Sequence, residues 1–206
     1  GFNRDDVKTA FEVARRLEQN LPIDDLFTKF HMEGEVEERF LPAYLDAYYS
    51  AVLIKSKPLP NAKETLKKLS QHFPLALITL RYVTREQVRE ELKHLSLTKY
   101  FKTVVTALDV KQPKPFPDAF LTAAKRLDVP INQCAIVGDS IVDIQAGKSA
   151  GAKTIAVLSG LFNRKELSKQ KPNLIIRNIN SLPDLLQQAK NPTHKCDKVQ
   201  RLRTNL

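Results

Sequence analysis

A chain of 206 residues, 42% of them hydrophobic, can bury a real core as one large domain or as a domain with a small accessory. It has no uninterrupted apolar run of about 18 residues, which excludes an apolar membrane-spanning helix, and the opening Gly1-Phe2-Asn3-Arg4-Asp5-Asp6 has none of the regions of a signal peptide. The net charge of +10 is spread over predicted helix faces without interleaved aromatics, so it reads as a solvated surface and not as a nucleic-acid platform.

Taken in chain order, Val7, Ala10, Phe11, Ala14 and Leu17 fall on one helical face. Val36, Phe40, Tyr44, Leu45, Tyr48, Ala51 and Val52 repeat the pattern, so the first 57 residues are expected to be helical and free of strands. Lys57-Pro58-Leu59-Pro60 breaks the chain and marks a boundary. Beyond it the pattern alternates. A helix with Ala62, Leu66 and Leu69 precedes a strand over Leu75-Ala76-Leu77-Ile78-Thr79. A helix with Val88, Leu92 and Leu95 leads to the strand Thr103–Thr106, and a helix from Phe120 to Leu127 leads to Cys134-Ala135-Ile136-Val137. A further helix follows Asp139, then the strand Thr154–Leu158, the strand Leu174–Ile176 and a helix begun by Ser181. Continuous apolar strands alternating with helices predict an α/β fold whose parallel sheet is covered on both faces. Residues 58–189 form this expected core. Residues 190–206, with five Lys or Arg against one Asp, read as a basic, flexible tail. Two unpatterned cysteines, Cys134 and Cys196, suit a reducing, cytoplasmic setting.

The most informative segment is Ala135-Ile-Val-Gly-Asp-Ser-Ile-Val-Asp143. Open α/β sheets bind ligands at the C-terminal ends of their strands, and Asp139 is expected there. Asp139 and Asp143 at this spacing can share a hard cation such as Mg²⁺, one directly and one through water. Capping alone is the simpler role for an acid at a strand-to-helix turn, and Ser140 is available for it. Gly138 before the acid and the steps Ala146-Gly147 and Ala150-Gly151 after it favour a built site and a slim helix. Lys114 opens Lys114-Pro115-Phe116-Pro117, whose two prolines prevent helix until Pro117, a good first helical position, so its loop is stiff. Such a lysine can neutralise phosphate charge. Thr79, with Leu80 and Arg81, can offer a hydroxyl and backbone N–H groups to a phosphoryl oxygen. Threonine ends many strands, so Thr79 alone carries little weight.

The order Thr79 after a strand, Lys114 before a helix, then Gly138-Asp139-Ser140-x-x-x-Asp143 resembles the haloacid dehalogenase superfamily, in its phosphoglycolate-phosphatase-like branch. The resemblance implies a Rossmann-like three-layer core, with residues 1–57 as a small helical cap. It also implies Mg²⁺-dependent hydrolysis of a small phosphorylated metabolite through an aspartyl-phosphate, by a monomer or dimer acting on neither nucleic acid nor membranes. In that scheme Thr79, Leu80 and Arg81 hold the phosphoryl group, Lys114 neutralises it and the nucleophile, Asp139 binds Mg²⁺ and Asp143 supports the metal shell. The family's first motif, an apolar strand ending in Asp-x-Asp, does not occur in these residues. Asp5-Asp6 falls on an amphipathic helix and reads as a pair of first-turn acids. The expectation is therefore that the nucleophile comes from a segment N-terminal to this sequence, and that the 206 residues alone are inactive. The alternative is a non-catalytic relative that binds phosphate and Mg²⁺.

Overall fold

A computed structural model describes Arg16 and residues 56–190. The chain divides between Lys57 and Pro58 into two units. The expected cap over residues 1–57, apart from Arg16, Ser56 and Lys57, and the basic tail, apart from Lys190, lie outside the described residues.

The described part alternates helix and strand. Helix α1 (Ala62–Ser70) leads to β1 (Ala76–Ile78), α2 (Arg85–His94) to β2 (Thr103–Val105), and α3 (Asp118–Leu127) to β3 (Ala135–Gly138). Helix α4 (Ile141–Ser149) precedes β4 (Lys153–Val157), α5 (Arg164–Lys169) precedes β5 (Leu174–Ile176), and α6 (Leu182–Lys190) closes the series. Every strand pair is parallel. The α/β class follows from the sequence pattern: each apolar run is short, β-branched and separated from the next by a helix.

The ladder is in two parts, β1–β2 and β3–β4–β5. Helix α3 covers the first, with Ala119 and Ala123 against Ala76, Ile78 and Val105. Helices α4 and α5 cover one face of the second, with Ile144 and Leu167 against Ala156 and Ile175. On the opposite face Ile155, Val157, Leu174 and Ile176 pack with Leu69 of α1 and Leu182 of α6. Helix α3 also packs against α4, and β1 and β3 each have one edge with no partner strand among the described residues. Val137 is 36% exposed, whereas its ladder partner Ile155 on the same face is fully buried.

Several boundaries differ from expectation for local reasons. Pro117 takes the N-cap of α3, not its first turn; its carbonyl accepts from the N–H groups of Phe120 and Leu121, both at 3.0 Å. Ser181 does not start the last helix but ends a 3-10 turn, Ile179–Ser181, whose cap is Asn178. Helix α5, with its Asn163–Glu166 capping box, is too short to show an apolar period and was not expected. Gly147 is needed for close packing, because a Cβ there would lie 2.7 Å from Thr154 Cγ2 and 3.2 Å from Ile136 Cβ. Gly151 instead supplies the left-handed turn, at φ 85°, that follows α4.

One carboxylate organises the loop between β2 and α3. Asp109 Oδ2 accepts from the Thr106 N–H at 2.8 Å, while its Oδ1 pairs with Arg126 Nη2 at 2.8 Å and Arg85 Nε at 3.2 Å. Burial alone would raise its carboxyl, but the Arg126 and Thr106 hydrogen bonds and the two arginine charges leave it lowered. A lowered carboxyl stabilises the fold above its unfolded value of about 3.9 and loses that contribution as pH falls through the folded value. Asp109→Asn should therefore cost about 1–3 kcal/mol in urea unfolding at neutral pH. The gap between variant and wild type should close as the pH is lowered below the ordinary aspartate range.

Candidate active site

The C-terminal end of β3 carries the acidic segment. Ser140 caps α4: its Oγ accepts from the Asp143 N–H at 3.2 Å and donates to Asp143 Oδ2 at 2.7 Å. The Ser140 N–H also donates to Oδ2 at 3.3 Å, so Asp143 completes a capping box. Capping thus accounts for one oxygen of Asp143. The other accepts from Lys114 Nζ at 2.6 Å.

That ion pair is buried, with Lys114 7% and Asp143 8% exposed. Lys111, three residues earlier, is exposed. The prolines around Lys114 keep its loop from turning helical before α3, and the capping box fixes the carboxylate it meets. Gly138 is part of the same arrangement. A Cβ there would sit 2.5 Å from both Cγ and Oδ2 of Asp143, so the strand end is shaped to the acid.

Asp139 differs from Asp143 in every respect. It is exposed and makes no ion pair among the described residues. Partial loss of hydration raises its carboxyl above the usual range, and the nearby Asp143 charge raises it further; its own backbone hydrogen bond and Lys114 pull it down. Two close carboxylates with one lysine between them leave an excess negative charge open to solvent. That donor set suits a hard cation, with the exposed Asp139 able to bind directly and Asp143, which already accepts from Lys114 and Ser140, able to act through water. Among the described residues no cluster of three or more His, Cys, Asp or Glu could hold a metal.

Thr79 follows β1, its N–H donating to Val105 O at 3.0 Å. Its Oγ1 accepts from the Arg81 N–H at 3.3 Å, which turns the loop over the strand end. Leu80 is half-buried. The Arg81 guanidinium points to α2, in a bidentate pair with Glu91 at 2.7 and 2.6 Å. The structure therefore joins Lys114, Asp143 and Ser140 directly and sets Asp139 within their electrostatic reach. Thr79 lies at the C-terminal end of β1, the equivalent edge of the other part-sheet, with no hydrogen bond to Lys114 or either aspartate among the described residues.

Sequence reasoning missed two contributors. Thr106-x-x-Asp109 is a capping-box pattern and could have been read as one. The Arg81–Glu91 pair, ten positions apart across a loop, leaves no local signal.

Removing one partner of a buried pair strands the other charge, at about 3–5 kcal/mol. Lys114→Met should cost that much in urea unfolding, and Lys114→Met combined with Asp143→Asn should cost clearly less than the sum of the two single changes. Additive costs would mean that the pair is not coupled.

A family model described as haloacid dehalogenase-like hydrolase matches residues 10–157. The phosphoglycolate phosphatase of Escherichia coli strain K12 is 33% identical over 163 residues, which cover 78% of this chain and 62% of that protein. The chain thus spans less than two thirds of the length of that relative. Among solved structures, a predicted phosphoglycolate phosphatase from Haemophilus somnus 129pt superposes with a TM-score of 0.70 at 25% identity, covering 80% of this chain and 74% of the other. A hydrolase from Pseudomonas syringae gives 0.63 at 29% identity, covering 76% and 73%.

Proposed function

The chain belongs to the haloacid dehalogenase-like hydrolase family, and on that premise we propose that it is the larger part of a Mg²⁺-dependent phosphatase for a small phosphorylated metabolite. The observation that carries this reading is the buried Lys114–Asp143 pair beside the exposed Asp139 at the C-terminal end of β3. A lysine locked on one carboxylate, next to a second that makes no ion pair among the described residues, combines a fixed positive charge with an exposed acid suited to a cation.

Each residue has a role in this reading. Lys114 spends one N–H on Asp143 and has others to offer a phosphoryl oxygen. Thr79 contributes its hydroxyl, and the backbone N–H groups of Leu80 and Arg81 lie beside it; the Arg81 N–H must leave Thr79 Oγ1 to take part. Arg81 acts through its backbone only, since Glu91 holds its side chain. Mg²⁺ would be held by Asp139 directly and by Asp143 through water, and when bound it supplies positive charge opposite the phosphoryl oxygens. Asp143 also keeps Lys114 in place.

The nucleophile is not among these groups. We assign it to an Asp-x-Asp pair on a parallel strand that fills the interval between β1 and β3, supplied by a segment N-terminal to this sequence. One carboxylate oxygen attacks phosphorus as the ester P–O bond breaks, and the second acid gives its proton to the leaving oxygen. That acid then takes a proton from water as the water attacks the aspartyl-phosphate, releasing phosphate and restoring the carboxylate. Residues 1–57 are read as the helical cap that selects substrate, residues 58–189 as the core and residues 190–206 as a flexible tail. The setting is taken as cytoplasmic; no described helix is long and apolar enough to cross a membrane. Phosphoglycolate, named for the relative from Escherichia coli, is the first substrate to try.

The test is hydrolysis of p-nitrophenyl phosphate and phosphoglycolate with Mg²⁺. The assay compares the 206-residue chain with a protein carrying, ahead of Gly1, an apolar strand that ends in Asp-x-Asp. Turnover should require the added strand and the cation. Lys114→Ala should then reduce kcat by at least about 10²-fold. Phosphate-dependent thermal stabilisation with no turnover in either protein would favour the non-catalytic relative.

A further inference from the structure

We propose that Gly160 positions Asp139 by having no side chain, an inference that rests on Asp139 being the cation ligand. Gly160 lies in the loop after β4, the strand paired with β3, whose last residue Gly138 immediately precedes Asp139. A Cβ at position 160 would fall 2.6 Å from Asp139 Cγ and 2.7 Å from its Cβ, well inside van der Waals contact. Backbone conformation does not demand this glycine: among the described glycines only Gly151 has a positive φ. Core packing does not demand it either, because Gly160 and Asp139 are both exposed.

What remains is the contact itself. The Asp139 carboxylate makes no salt bridge among the described residues and accepts a hydrogen bond from its own backbone, whereas that of Asp143 is held by Lys114 and Ser140. The surface packed on Asp139 is the Gly160 backbone, which limits where the side chain can lie. A methyl group at 160 must push the loop and the Asp139 backbone apart, because the Asp139 Cβ itself lies 2.7 Å away and no rotamer moves it, and the carboxylate is displaced with them. The two acids are thus shaped by two glycines, Asp143 by Gly138 at the end of β3 and Asp139 by Gly160 in the loop after β4.

The experiment is a double-mutant cycle on the 206-residue chain, read by thermal unfolding in chelator and by calorimetric titration with MgCl₂. Gly160→Ala should lower Tm by about 2–10 °C with Asp139 present, and by less than about 1 °C in an Asp139→Gly background. If Gly160→Ala alone fails to fold, recovery of folding in the double variant is the same result. Gly160→Ala should also weaken Mg²⁺ binding at least about tenfold, since a displaced carboxylate loses the geometry that the ion requires. Equal Tm loss in both backgrounds, or unchanged Mg²⁺ affinity, would overturn the proposal. Asp139→Asn separates the two ideas. If it binds Mg²⁺ like wild type, the cation reading fails and the positioning role with it; if it loses Mg²⁺ while Gly160→Ala does not, only Gly160 is exonerated.

Discussion

A lysine and an aspartate that have both given up most of their water, 2.6 Å apart, set the terms for the rest of the core. Desolvating two charges is costly, and the cost is offset only when the partners are held in good geometry. The sequence around each partner supplies that hold. Three prolines stiffen the loop of Lys114, Ser140 grips the second oxygen of Asp143, and Gly138 leaves room for the carboxylate. The pair also ties the loop after β2 to the helix after β3, and so links the two part-sheets at their C-terminal ends.

The rest of the fold serves this link. Small residues on α3, Ala119 and Ala123, let it sit close on β1 and β2, and Gly147 does the same for α4 on β3 and β4. Asp109 anchors the far end of the Lys114 loop through two arginines and the Thr106 N–H. Val137 keeps solvent contact on a face where its neighbour Ile155 has none.

Much of this was legible in the chain. All five strands were placed within a residue or two, because buried parallel strands are short apolar runs bounded by turn residues. Asp139, Asp143 and Lys114 stood out because glycine and proline around them had no other evident use. The division of labour between the acids was expected from the resemblance, but the partners of each were not legible: only the structure shows Asp143 accepting from Lys114 and Ser140 while Asp139 is exposed. Glu91 and Gly160 act across distances in sequence that no local pattern spans, and α5 is too short to display a period. Ser181 resembled a helix cap, but Asn178 three residues earlier captured that role by folding the intervening residues into a 3-10 turn.

The central claim is that Lys114, Thr79 and Asp139 surround one phosphoryl position with a cation beside it. A crystal structure of the protein grown with MgCl₂ and inorganic phosphate tests this most directly. The account predicts Mg²⁺ bound to the Asp139 carboxylate, with phosphate oxygens within hydrogen-bond distance of both Lys114 Nζ and Thr79 Oγ1. Phosphate held elsewhere, or Mg²⁺ bound without Asp139, would contradict it.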